Sequence, residues 1–424
     1  MQLAEFEVLG LFGRYNHRIV FPGSQPGESR PSLVILHGPN GVGKTTILRM
    51  IDGCMQLDFD VFRQNPFKSA TLKFNDGEAI HVTPSMDGKR KTAINVVFKK
   101  HSVSLHPSHS GPVKDADLAK VERFREDFQT TRRSLAFEFV DAARIVQQRP
   151  AQEDDASAFR AWQEMMILRE RHGENSRALL PAGRILSLAE KVGRFVNDAQ
   201  VNHRRFFASS GTDLFAQILQ RLSGASKAKL EVQSLLERLK AIEKQDERFK
   251  EFGIEVDNWS LDGIKSQMKA ATNGLAKDQA VVALGAFVEM LESRTTERSL
   301  LANRLETFTT VIGEFLHDKT VTISPRAGLL IRTSAPERRI LKEHQLSTGE
   351  YHLLYLMVAA LVTQRRGTVL AIDEPEMSMH LAWQRKLISG LFRCASKAEP
   401  QFIFATHSPD VAADFPDALV ELGK

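Results

Sequence analysis

Apolar residues recur along the chain with two different periods, and the change from one to the other divides it in three. Up to about residue 150 they alternate or run together in short stretches: Glu5 to Leu11, Arg18 to Phe21, Ser32 to Leu36, Ala70 to Phe74, Ala93 to Phe98 and Leu135 to Val140. Such stretches predict strands. One helical run, Ile47, Leu48, Met50 and Ile51, interrupts them. From Ala151 to about Asp318 the sequence turns charged and helical, with few turn signals beyond Ser223-Gly224, Gly253 and Asp257-Asn258. There Ala228, Val232, Leu235, Leu239, Ile242 and Phe249 repeat at alternating spacings of three and four, broken only at Asp246. A second stripe, Leu301, Leu305, Phe308, Ile312 and Phe315, has Phe287 and Leu291 in register upstream and is broken by Arg294 and Arg298. Two such stripes predict either an antiparallel coiled-coil hairpin or a globular helical bundle that uses the same residues as core. After them, Thr320 to Ile323 and Gly328 to Arg332 read as strands, followed by a buried helix over Tyr351 to Leu361 and strands at Thr368 to Ile372, Gln401 to Ala405 and Ala418 to Leu422. The expected architecture is α/β: a strand-rich lobe over 1–150, a helical insertion over 151–319 and a second lobe over 320–424.

Composition narrows the class. The chain has 424 residues and is 42% hydrophobic, which suits a folded protein of two or three modules. Its longest apolar run, Leu353 to Val362, is far short of the roughly 20 residues of a membrane span. No signal-peptide pattern opens the sequence, so a cytoplasmic location is expected. Cys54 and Cys394 are the only cysteines and form neither a metal cluster nor a disulfide framework, in keeping with a reducing compartment. A net charge of +5 and a pI near 9.1 are compatible with DNA as a partner. The basic clusters Lys89-Arg90-Lys91, Lys99-Lys100-His101 and Arg132-Arg133 could touch phosphates but read more readily as solvated loops or strand edges.

Chemistry enters where the strand Leu33 to Leu36 runs into Gly38-Pro39-Asn40-Gly41-Val42-Gly43-Lys44-Thr45. Glycines at these positions let backbone N–H groups converge on phosphate oxygens. Lys44 then supplies charge to the β and γ phosphates, Thr45 offers a hydroxyl to Mg²⁺, and the helix entered through Thr46 points its N-terminus at the anion. This is a P-loop, a phosphate cradle that a kinase, a GTPase or a motor could each carry. Far downstream, Thr368-Val369-Leu370-Ala371-Ile372-Asp373-Glu374-Pro375 is a buried strand ending in two acids. Asp373 is the expected second Mg²⁺ holder and Glu374 the general base for an attacking water.

Leu346-Ser347-Thr348-Gly349-Glu350 opens the long apolar helix, with Ser347 placed to cap it and Gly349 to allow close backbone approach. Read in order with Asp373-Glu374-Pro375-Glu376 and Ala405-Thr406-His407-Ser408-Pro409, it resembles the signature, Walker B and switch-histidine series of ABC-type ATPases. That resemblance implies two heads sandwiching two nucleotides: Ser347, Gly349 and Glu350 would act on the partner's ATP and His407 on the γ phosphate of its own. Thr348 departs from the glycine usual in transporters, and Glu350 replaces their glutamine, as in SMC and RecF relatives. The family's Q-loop, which completes the Mg²⁺ shell, falls after Val140, making Gln147 or Gln148 the candidate and Gln64 a weaker one. Arg144 resembles an arginine of defence-type ATPases but also reads as a surface ion pair. Phe12, Arg14 and Tyr15 are candidates for stacking on adenine, while His380 resembles the histidine of the overcoming-lysogenization-defect (OLD) motif or simply caps a helix.

About 300 residues separate Lys44 from Ser347, against about 100 in transporter heads, so the resemblance points to the SMC, RecF and OLD side. OLD proteins carry a TOPRIM nuclease after the head; here seventeen residues follow His407, which implies that any effector is a separate polypeptide. Leu9-Gly10-Leu11-Phe12-Gly13-Arg14-Tyr15-Asn16-His17 together with the P-loop is most similar to ATPases of bacterial defence modules, such as Septu and retron-associated ATPases. The implied function is an ATP-hydrolysing homodimer, open to higher assembly, that senses or regulates and controls a separate nuclease or toxin. A RecF- or SMC-like DNA-repair ATPase is the alternative, and a transporter subunit a more distant one.

Overall fold

The computed structural model describes residues 2–22, 32–87, 90–105, 123–128, 135–141, 145, 187–202, 232–270, 274–324, 328–334, 338–363, 367–395 and 399–423. In chain order its principal elements are β1 (Leu3–Leu11), β2 (Tyr15–Val20), β3 (Leu33–His37), α1 (Lys44–Gln56), α2 (Asp60–Gln64), β4 (Ser69–Phe74), β5 (Ala79–Asp87), β6 (Arg90–Phe98), β7 (His101–Leu105) and β8 (Phe137–Asp141). They continue as α3 (Val232–Glu251), α4 (Leu261–Ala270), α5 (Gly274–Gly313), β9 (Lys319–Ser324), β10 (Gly328–Thr333), β11 (Ile340–Leu341), α6 (Thr348–Val362), β12 (Val369–Asp373), α7 (Leu381–Ala395), β13 (Gln401–Thr406) and β14 (Leu419–Glu421). They form two units, one of residues 1–149 with 346–424 and the other of 150–345.

The first unit holds two sheets. One is antiparallel in the order β2-β1-β4-β5-β6-β7, and the other is parallel in the order β14-β3-β13-β12-β8. Strands β3, β12 and β13 are almost wholly apolar and buried, as the middle of a parallel sheet covered on both faces requires. Helix α1 packs between the sheets, its Ile47, Leu48, Met50 and Ile51 entering a core with Phe6, Leu72, Phe98 and Ile403. Of the strands expected from the pattern, each is present within a few residues, and three more appear, β5 and β7 here and β11 in the other unit. Strand β5 carries Pro84, which a central strand rarely accepts; it pairs with Ile94 of β6 beyond the last residue that β4 pairs, where β5 has one neighbour.

In the second unit the two helical stripes meet, but not antiparallel. Arg238 of α3 pairs with Glu292 of α5 at 2.5 Å, and Arg248, ten residues on, reaches Asn303 and Glu306. Both helices therefore run the same way, and residues 252–270 form the return. Leu235, Leu239 and Ile242 share one core with Leu261 of α4 and with Leu284, Val288 and Leu291 of α5, which is the bundle arrangement. The stripe breakers are not surface residues. Asp257 on the return accepts from Arg294 at 2.5 Å and Arg298 at 2.8 Å, and buried Asp246 accepts from the Trp259 indole at 3.0 Å. Strands β9–β11 form their own antiparallel sheet in this unit, where Glu343 accepts from the backbone N–H of Leu188 at 2.6 Å. Among the described residues no helix is long and apolar enough to cross a membrane.

Candidate functional site

Three neighbouring strands of the parallel sheet end at the same level. Register pairs Asp373 with Ala405 and Thr406 with His37, so the loops after β12, β13 and β3 leave the sheet side by side at its carboxyl edge. Ligands of open α/β sheets bind at such an edge. The loop after β3 is the P-loop. Gly41 and Gly43 take φ values of 82° and 101°, a region that side chains disfavour. A Cβ on Gly43 would also sit 2.6 Å from Leu11, and one on Gly38 2.6 Å from the Leu422 carbonyl. From the antiparallel sheet, buried His17 donates Nε2–H to the Val42 carbonyl at 3.1 Å and pins the loop's crown. Burial lowers the pKa of His17 and so keeps it neutral for this role.

Lys44 is 6% exposed, and its ammonium is directed back into the loop, donating to the carbonyls of Gly38 at 2.6 Å and Pro39 at 3.1 Å. A third contact, at 3.1 Å, joins it to Nδ1 of His407. The other ring nitrogen of His407 lies 3.2 Å from Glu374 Oε1. Residues 363 positions apart thus form one chain of contacts, Lys44 to His407 to Glu374. Burial lowers the Lys44 pKa, while the charges of Asp373, Glu374 and Glu376 oppose the shift. Beside this chain, Thr45 hydrogen-bonds Asp373, whose carboxyl is pushed up to about 6 by burial against that hydrogen bond. A hydroxyl and a carboxylate held together are hard oxygen donors of the kind Mg²⁺ takes, usually with substrate phosphates and water completing the shell. Among the described residues no cluster of three His, Cys, Asp or Glu is arranged for a metal.

A cavity of about 550 Å³ opens beside Gly38 and Pro39, with His37, His407 and Glu421 on its wall. The P-loop, Asp373, Glu374 and His407 are therefore brought together. Ser347, Gly349 and Glu350 are not part of that cluster. They form the first turn of α6 as a capping box: Ser347 Oγ accepts from Glu350 N at 3.2 Å, and Ser347 N donates to Glu350 Oε2 at 2.8 Å. Gly349 is required by packing, since a Cβ there would run into the Ser378 carbonyl. Gln147, Gln148 and Arg144 lie outside the described residues; β8, which precedes them, is the edge strand beside β12. Gln64 is exposed on α2. His380 accepts from Ala382 N through Nδ1 at 3.3 Å and so caps α7. Phe12 packs over Gly43, and the Arg14 guanidinium lies 4.5 Å from the Tyr15 ring centre.

Some residues of this site escape sequence reasoning. Arg49 of α1 pairs with Asp141, at the end of β8, at 2.9 Å, and Glu376 gathers the backbone around His407. The third acid of Asp373-Glu374-Pro375-Glu376 is a visible signal for Glu376, whereas nothing in the local pattern marks Arg49.

A family model described as "AAA domain, putative AbiEii toxin, Type IV TA system" matches residues 33–413. No curated protein matches the chain. Among solved structures, the Smc head domain of Pyrococcus furiosus with an extended coiled coil, bound to the C-terminal domain of ScpA, is 12% identical over 97% of this chain and 91% of that one, with a TM-score of 0.41. The Smc head with coiled coil and joint from Pyrococcus yayanosii is 13% identical over 97% and 93%, at 0.38. The SMC head domain of Thermotoga maritima is 13% identical over 99% and 94%, at 0.35.

Proposed function

The chain belongs to this AAA-domain family, and from that premise we propose that it binds and hydrolyses ATP as one half of a head-to-head homodimer. The observation that carries the reading is the meeting of Lys44, His407 and Glu374 beside the Thr45–Asp373 pair. Lys44 neutralises the β and γ phosphates. Thr45 and Asp373 would hold Mg²⁺, which would supply positive charge against the phosphates. Glu374 takes a proton from the attacking water as the γ phosphorus–oxygen bond to ADP breaks, and His407 steadies the transferred group. Ser347 is exposed, and its hydrogen bonds close on its own capping box, which leaves the first turn of α6 open to a second copy's nucleotide.

In this reading closure of the dimer on ATP is the signal, and the protein serves a bacterial anti-phage module as sensor or regulator of a separate nuclease or toxin. The toxin–antitoxin wording of the family supports that role. The basic net charge of +5 favours DNA as a second partner, as a RecF- or SMC-like repair ATPase would require. Glu374→Gln keeps the sandwich and loses water activation, so the variant should sediment as a dimer in saturating ATP with Mg²⁺. A variant as monomeric as its parent would end the head-to-head model. Copurification with the products of neighbouring genes identifies the effector, and steeply salt-weakened DNA binding would favour repair.

A further inference from the structure

The loop after β12 touches both the switch segment and the signature helix. On one side, Glu376 Oε1 accepts from Thr406 Oγ1 at 2.5 Å, His407 N at 3.1 Å and Ser408 N at 3.2 Å. Three donors on one carboxylate oxygen fix the backbone on either side of His407. On the other side, His352 of α6, fully buried, donates Nδ1–H to the Met377 carbonyl at 2.8 Å. One turn earlier on the same helix, Gly349 abuts the Ser378 carbonyl. Glu374 and Ser378 take left-handed φ values of 49° and 61°, conformations that side-chain-bearing residues keep only when their surroundings impose them. Among the described residues, buried Glu376 Oε2 and His352 Nε2 have no hydrogen-bond partner. Burial lowers the His352 pKa, and the hydrogen bond to Met377 and the Glu376 charge oppose that shift.

We propose that Glu376 is the positioning residue for His407, and that His352 couples it to the first turn of α6. The inference rests on the head-to-head reading above. Under that reading, the turn of α6 meets the partner's nucleotide while His407 meets its own. Docking of the partner then shifts Met377 and Ser378, Glu376 follows, and the switch histidine is set. Each head reports its trans contact to its cis site through a path of one helix turn, one loop and one carboxylate.

The test combines two readouts on the full-length protein. The first is nucleotide-free: with ¹³C-labelled histidine, the ring signal lost in His407→Ala identifies His407. That signal should shift in Glu376→Ala and His352→Leu and stay near its parental position in Glu376→Gln, which keeps an acceptor for the three donors. The second is kinetic: Glu376→Ala should lower kcat about 10- to 100-fold, the scale of a misplaced catalytic group, with ATP affinity within about threefold of the parent. In a His407→Ala background the same change should cost nothing further. A melting temperature of Glu376→Ala equal to the parent's excludes misfolding as the cause. An unmoved His407 signal, or a Glu376→Ala loss that multiplies with that of His407→Ala, overturns the positioning role and leaves the proposed function standing. Parental kcat in His407→Ala itself removes the histidine from the chemistry, and both readings of it fall together.

Discussion

Asp373→Asn should make the nucleotide-free protein more stable while disabling it. Asp373 is 6% exposed, and burial raises its carboxyl to about 6, against 3.8 for an ordinary aspartate. Below pH 3.8 folded and unfolded chains both hold the proton, and the residue contributes nothing to pH dependence. Between 3.8 and about 6 the folded chain holds a proton that the unfolded chain has released, so stability falls as pH rises. Above that range the charge is carried at full cost, on the order of 3 kcal/mol as an upper bound. Asparagine keeps an oxygen to accept from Thr45 and carries no charge. The variant's advantage should therefore be largest at pH 8 and shrink towards pH 4. For a unit of this size the gain is several degrees of melting temperature, at about 2–4 °C per kcal/mol. Thermal melts at pH 8 and pH 5, without metal or nucleotide, measure it. Adding ATP with Mg²⁺ should raise the parent's melting temperature more than the variant's. An Asp373→Asn protein that melts at or below its parent at pH 8, or gains equally at both pH values, would refute the burial argument.

Other changes probe separate parts of the molecule. Lys44→Ala removes the donor to the Gly38 and Pro39 carbonyls and the charge facing the phosphates, so titration with a fluorescent ATP analogue should show affinity down by about 100-fold or more; unchanged affinity would mean the loop binds something else. Gly349→Ala forces a methyl against the Ser378 carbonyl and should cost about 1–3 kcal/mol together with ATPase activity, a reading contradicted by a parental melt and rate. Asp257→Ala strips Arg294 and Arg298 of their shared carboxylate and should destabilise the second unit by on the order of 3 kcal/mol, seen as faster limited proteolysis between residues 232 and 313. Proteolysis no faster than in the parent would show that the two arginines find water or other acceptors at no cost.

How much of this was legible depended on how local the cause was. The P-loop is one strand, one turn and one helix start, and eight residues carry the whole constraint. The same holds for β12, whose apolar run and terminal acids are contiguous. His407 is legible only through its company, since its partners Lys44 and Glu374 come from two other strand ends. Strands β5, β7 and β11 were missed because their apolar alternation covers only a few residues, and β5 contains a proline whose tolerance depends on where β4 stops pairing. The stripes of α3 and α5 showed which faces are buried but not which way the helices run. Direction is set by the return segment, whose Asp257 and Trp259 bond to residues about 40 and 13 positions away. Asp246, Arg294 and Arg298 looked like interruptions for the same reason: their partners are not on the helices that carry them.

Those interruptions have a mechanical consequence. Two parallel helices joined only by repeating apolar contacts can slip by seven residues and find nearly equivalent neighbours. Here a slip would carry Arg294 and Arg298 away from Asp257 and leave charge facing hydrocarbon. The bundle has one permitted alignment, fixed by a segment that bonds to each helix in turn. Force applied at one end should therefore arrive at the other as movement of a stiff body, with none of it absorbed by sliding along the seam.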